Sequence, residues 1–136
     1  MEFREATESD LAFVGRHTIS RGFFAKQPPR VEWVYALEHE GQILGVGGLK
    51  LMNPSTAWAW FDLTEFARGH MLIVYRVIRD VLTSTMAEHG LRRVMAVVEP
   101  DFPKAIRTIE HLGFEREAIL KNFYDEKDGY LYARIQ

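Results

Sequence analysis

Ala57-Trp-Ala-Trp-Phe-Asp-Leu63, Arg68-Gly-His-Met-Leu-Ile-Val-Tyr-Arg-Val-Ile-Arg-Asp-Val-Leu-Thr-Ser-Thr-Met-Ala-Glu-His89 and Arg93-Val-Met-Ala-Val-Val98 follow one another in the middle of the chain. The first stretch alternates strictly, as a strand does, with Trp58, Trp60 and Asp62 on one face and Ala59, Phe61 and Leu63 on the other. In the second, Val74, Val77, Ile78, Val81, Leu82, Thr85 and Met86 form an apolar stripe at helical spacing, and Gly90 supplies a C-cap. The third is a short continuous apolar run, as expected of a strand buried on both faces. A long helix between two such strands is the connection that parallel neighbours require.

Upstream, Trp33–His39 and Gln42–Leu51 flank Glu40-Gly41 and read as a hairpin, with Asn53-Pro54-Ser55 as the next turn. Phe3–Ala6 reads as a first strand. Thr7 and Asp10 then take capping-box positions at the start of a helix running from about Ser9 to Ile19. Phe23 and Phe24 suggest a short buried helix or loop ended by Pro28-Pro29. Downstream, Ala105, Ile106, Ile109 and Leu112 give a short amphipathic helix ended by Gly113. Phe114–Asn122 and Tyr130–Ile135 form a final hairpin joined across Asp125–Gly129. Alternating strands and helices of this kind imply an α/β (α+β) sheet with antiparallel edges.

Composition narrows the function classes. The chain has 136 residues, 47% hydrophobic and 26% charged, which suits one ordinary globular domain spanning residues 1–136. A net charge of −2 argues against a sequence-independent grip on nucleic acid. The absence of cysteine removes thiol catalysis, disulfides and thiolate zinc sites. The five histidines (His17, His39, His70, His89 and His111) lack paired ligand spacing, so no metal is expected. No apolar run approaches bilayer length, and the N-terminus lacks a signal peptide's basic start and apolar middle. A soluble cytoplasmic protein is the expectation. Gly45, Gly47 and Gly48 lie within a strand with no helix directly following, so a bulge or close sheet contact is expected there rather than a phosphate loop.

Five stretches carry a family likeness together: Phe3-Arg-Glu-Ala-Thr-Glu-Ser-Asp10, Tyr35–Leu49, Ala87-Glu-His-Gly-Leu-Arg-Arg-Val94, Asp101–Phe114 with its closing Gly-Phe, and Gly129-Tyr-Leu-Tyr-Ala-Arg-Ile135. Their order and spacing resemble the GNAT superfamily of acetyl-CoA-dependent N-acetyltransferases over nearly the whole chain. The resemblance implies a mixed, mostly antiparallel sheet of about seven strands. The fourth and fifth would be parallel, splayed and flanked by helices. It implies acetyl-CoA as co-substrate and a small-molecule or peptide amine as acceptor, and it leaves room for a homodimer or a larger phage assembly.

The family's Gln/Arg-x-x-Gly-x-Gly/Ala loop cradles the coenzyme A pyrophosphate on backbone N–H groups at a helix start. Here only Arg68-Gly69 resembles it. Counted from Arg68, Met71 and Ile73 replace the glycines; counted from His70, Ile73 and Tyr75 do. The cofactor-binding residues that the resemblance implies are Asp62, Leu63, Thr64, Arg68, Gly69, His70, Met71, Leu72 and Lys104. The family's tyrosine acid, four residues before Gly-Phe, falls on Ile109, and Tyr124 is the substitute. For the base, Glu99 ends the apolar strand, and Asp62 shares a face with Trp58 and Trp60, whose bulk disfavours a charged form by desolvation. Trp33, Trp58 and Trp60, with Phe23 and Phe24, either wall an acceptor pocket or are core. Two functions follow: acetyl transfer to a primary amine by direct attack, or an inactive module of the same fold serving binding or structure, as in a phage accessory or virion protein.

Overall fold

The computed structural model describes residues 4–5, 7–17 and 32–136. Of the expected strand over Phe3–Ala6 only Arg4 and Glu5 are described, and neither lies in a strand; the end of the first helix at Ile19 and the segment around Phe23, Phe24 and Pro28-Pro29 lie outside the described residues. Helix α1 spans Glu8–His17. Its capping box is formed as the sequence implied: the Thr7 N–H donates to Asp10 Oδ2 (2.8 Å) and the Asp10 N–H to Thr7 Oγ1 (3.2 Å).

Glu40 and Gly41 both have positive φ, 49° and 78°. Two successive left-handed residues make the tight turn whose twist matches paired strands. Strand β1 (Glu32–His39) therefore pairs antiparallel with β2 (Gln42–Asn53). The Ser55 N–H donates to Asn53 Oδ1 (3.0 Å), and this side-chain turn feeds β3 (Thr56–Leu63), antiparallel to β2. The β1–β2 register slips where Leu37 pairs with Gly45 but Glu38 with Ile43, leaving Leu44 as an inserted residue. Leu44 and Leu49 have opposite parity along β2, yet both are buried, at 1% and 4% exposure. Leu44 packs with Ala67 and Val74, and Leu49 enters the main core.

Helix α2 spans Met71–His89, three residues later than the expected start at Arg68. Glu65–Ala67 form a single 3-10 turn and Arg68 is extended. Gly69 has a φ of 82°, which no right-handed helix can continue, so α2 begins only beyond it. Gly90 closes the helix in the left-handed conformation, its N–H donating to Met86 O.

After α2 the chain enters β4 (Arg93–Val98), then α3 (Pro103–His111), β5 (Glu115–Tyr124) and β6 (Lys127–Ile135). The described residues form a six-stranded sheet of order β1-β2-β3-β4-β6-β5. All neighbours are antiparallel except β3 and β4. These two are the expected fourth and fifth strands, and they are parallel as expected. In β4, Val94, Ala96 and Val98 are buried while Arg93, Met95 and Val97 are half-buried, so one face is sealed and the other only partly covered. The last turn is shorter than expected: Asn122 and Asp125 adopt positive φ of 54°, and Gly129 lies inside β6. A Cβ there would sit 2.6 Å from Val97 Cγ1.

The main core joins Trp33, Leu49 and Ala57 of the sheet's first half to Val94, Phe114 and Tyr132 of its second, capped by Leu82, Met86 and Ile109 from α2 and α3. Both helices therefore cover one face of the sheet. Among the described residues no helix is long and apolar enough to cross a membrane.

Candidate active site

Strands β3 and β4 pair only at Thr56↔Arg93, Ala57↔Val94 and Trp58↔Met95. Beyond that point β3 runs on to Leu63 and β4 to Val98 without pairing to each other. In a strand, alternate residues turn their N–H and C=O toward the same neighbour. The groups of Ala59–Leu63 that point toward β4 consequently have no strand partner, and the sheet opens into a cleft. The mouth of α2 stands at one lip, the end of β4 at the other.

At the first lip, Thr64 is tied down: its N–H donates to Leu44 O (2.9 Å) and its hydroxyl to Ile43 O (2.7 Å). The first internal bond of α2 runs from the Val74 N–H to His70 O (3.0 Å). The N–H groups of Met71, Leu72 and Ile73 precede it. No side chain caps this turn and no acidic residue lies in it. Arg68 and Gly69 are exposed beside it. Met71 turns inward onto the Leu44–Ala67–Val74 cluster, whereas Leu72 is 64% exposed. His70 lies against His39, ring centroids 5.0 Å apart. The arrangement is an unneutralised positive helix end, which suits an anion.

At the second lip, Glu99 follows β4 and is half-buried. The Tyr124 hydroxyl donates to Val97 O (3.1 Å). Burial, and then the nearby Glu99 carboxylate, push the Tyr124 phenol above its usual range. Lys127 pairs with Asp101 at 3.2 Å, and that bond, with the Asp101 and Glu99 charges, raises the Lys127 ammonium. The fold thus brings Glu99 and Tyr124 together. Asp62 is exposed on β3, and Lys104 is exposed in the first turn of α3. Of the aromatics, Trp33 is core, stacked on His89 at 4.5 Å, and Trp60 is exposed.

An apolar cavity of about 220 Å³ lies between β1–β3 and α2, lined in part by Tyr35, Leu37, Gly47, Phe61 and Ile78. Neither Glu99, Tyr124 nor the α2 mouth contributes to it. The three strand glycines are close-contact positions: a Cβ on Gly45 would lie 2.8 Å from Asp62 O, and one on Gly48 2.6 Å from Trp33 O. No group of three metal-ligating side chains occurs among the described residues.

No protein-family profile matches the sequence, and no curated protein matches it. Solved structures do. A point mutant of the spermidine N-acetyltransferase SpeG from Vibrio cholerae superposes with a TM-score of 0.68 at 18% identity, over 97% of this chain and 93% of that one. The fold is that of the GNAT acetyltransferases. The microcin C7 self-immunity acetyltransferase MccE, in complex with acetyl-CoA and AMP, gives 0.69 at 18% identity, over 78% of this chain and 62% of that one. RimL, the ribosomal L7/L12 α-N-protein acetyltransferase in complex with coenzyme A, gives 0.69 at 19%, over 77% and 62%.

Within this GNAT fold, Ile109 is 2% exposed in the core. Next to it sits a polar contact that the sequence reading missed. Tyr75 of α2 lies 3.0 Å from Thr108 Oγ1 of α3, and its ring is 5.8 Å from that of His111. Tyr75 falls one residue from the apolar stripe, and nothing in a single sequence pairs it with a threonine on another helix.

Proposed function

We propose that the protein transfers an acetyl group from acetyl-CoA to a primary amine by direct attack. The observation that carries this reading is the parting of β3 from β4 after three residue pairs beside the uncapped N-terminus of α2. The free N–H groups of Met71, Leu72 and Ile73 receive the pyrophosphate, with Arg68 adding charge. The unpaired edge of β3 at Asp62 and Leu63 takes the amide-rich arm, and Lys104 flanks it from α3. Bulky residues do not defeat the mouth, because Met71 is directed into the core and the helix N–H groups point along the axis.

Glu99 serves as general base and accepts the amine's proton. Its half-buried position just after β4 supports this choice, whereas Asp62 is exposed. The chemistry needs positioning more than covalent help, so a modest site suffices. Among structures of this fold, SpeG acts on spermidine and RimL on a protein α-amine; an amine on a flexible polyamine or peptide is the acceptor class we favour here, in the cytoplasm. One feature favours the inactive-module reading: Ile109 offers no proton donor.

Calorimetry with acetyl-CoA at millimolar concentration decides between them. Heat of binding, followed by amine acetylation that Glu99→Gln depresses about 10²–10⁴-fold at neutral pH and less at high pH, supports the enzyme. Folded protein that gives no heat refutes it.

A further inference from the structure

Aminolysis of a thioester leaves two protons to manage. The amine nitrogen bonds to the carbonyl carbon and gives up a proton to the base. The C–S bond breaks with its electron pair on sulfur, and that sulfur needs a proton. Resting on the acetyl-transfer reading, we propose that Tyr75, from α2, supplies it.

Three observations converge on Tyr75. First, α2 starts at the C-terminal end of β3 and α3 at the C-terminal end of β4, so the first turns of both helices flank the cleft on one face of the sheet. Tyr75 lies about one turn inside α2 from the mouth, directed at α3. Second, the hydrogen of its hydroxyl is placed. Thr108 donates its own hydrogen to Lys104 O (2.8 Å), so across the 3.0 Å contact Thr108 Oγ1 is the acceptor and Tyr75 the donor. This is the one side-chain hydrogen bond between α2 and α3 among the described residues. Third, Ile109 has nothing to give, and burial and the neighbouring Glu99 carboxylate raise the Tyr124 phenol, which makes it the poorer proton donor.

In the step, Tyr75 turns its O–H from Thr108 to the departing sulfur. The phenolate left behind accepts the Thr108 O–H, which swings away from Lys104 O. That carbonyl keeps its helical partner four residues on. Tyr75 then regains a proton from solvent, and the products are amide and thiol. His111 is the titratable side chain facing Tyr75 from α3, and it is unchanged in every comparison below.

The test uses the full chain, with coenzyme A affinity measured by calorimetry beside the pH profile of kcat. Tyr75→Phe should bind coenzyme A as the parent does and lose about 100-fold in kcat. Thr108→Val, which keeps the phenol but removes its partner, should fall between the two. A 3,5-difluorotyrosine installed at position 75, a more acidic phenol of nearly the same shape, should restore turnover and move the alkaline limb of kcat to lower pH. A purely structural tie between helices would leave that limb where it was. Full kcat in Tyr75→Phe, or an unmoved limb, overturns the proposal while leaving acetyl transfer intact. A parent protein that neither binds coenzyme A nor turns over removes both.

Discussion

Replacing Gly48 by alanine separates packing from ligand binding. A Cβ at this position would lie 2.6 Å from Trp33 O, 2.9 Å from Trp60 Nε1 and 3.0 Å from Trp60 Cε2. The nearest atom is the backbone of the paired strand β1, and Trp33 is itself core, so neither can rotate aside. Overfilling a packed site typically costs about 1–3 kcal/mol. Alanine would also restrict the unfolded chain, a gain of about 0.4–1 kcal/mol. The clash wins, with a net loss of about 1–2 kcal/mol. For a domain of this size that lowers Tm by roughly 3–10 °C. Thermal and urea unfolding would measure it, with an unchanged m-value showing a two-state loss. Coenzyme A affinity should be unaffected. A variant as stable as the parent, or more so, refutes the packing argument; lost coenzyme A binding at unchanged stability would revive the phosphate-loop reading of Gly45–Gly48.

Leu91→Ala empties a site that is 1% exposed and should destabilise by about 2–5 kcal/mol; urea unfolding showing less than about 1 kcal/mol would contradict that. The Arg93 guanidinium holds the Glu117 carboxyl below its usual range. A depressed carboxyl contributes stability above its unfolded pKa of about 4.3 and loses it as pH falls through the folded value. Melting temperature should therefore drop from pH 5 toward pH 3, modestly because the pair is part-exposed, and Glu117→Gln should flatten that portion of the curve. An identical slope in the variant would exclude the pair as a cause. Arg68→Ala should weaken coenzyme A binding, and more so at low salt, since an exposed charge–phosphate contact is screened; titrations with equal losses at low and high salt would rule this out.

The hairpin at Glu40-Gly41, the long helix and the parallel pair were legible because local periodicity and turn chemistry decide them. The inserted Leu44 was not: one extra residue flips the parity of β2 without altering its composition, and only the two clusters it reaches reveal it. Gly129 looked like a loop residue and proved to be a strand residue, because what excludes a side chain there is Val97 from a distant strand. The start of α2 was misplaced because Arg68 and His70 suit a helix while Gly69 alone ends that option. Glu99 and Tyr124 could be named separately, but their proximity comes from β4 and β5 meeting through β6. Asp62 drew attention through its tryptophan neighbours, yet it is exposed.

The three-pair seam between β3 and β4 also bears on how the chain reaches this structure. On one side lies a meander, β1-β2-β3, closed by turns of a few residues; on the other, β5 and β6 form a hairpin of the same local kind. Local contacts form quickly, whereas a seam spanning α2 must wait for a long loop to close. Two early-forming halves, zipped late by the burial of α2, is the folding order this topology predicts. In pulse-labelled hydrogen exchange, amides within the β1–β2 and β5–β6 ladders should gain protection before those linking Thr56–Trp58 to Arg93–Met95. The strand edge that can admit a ligand is then also the last part of the sheet to be made.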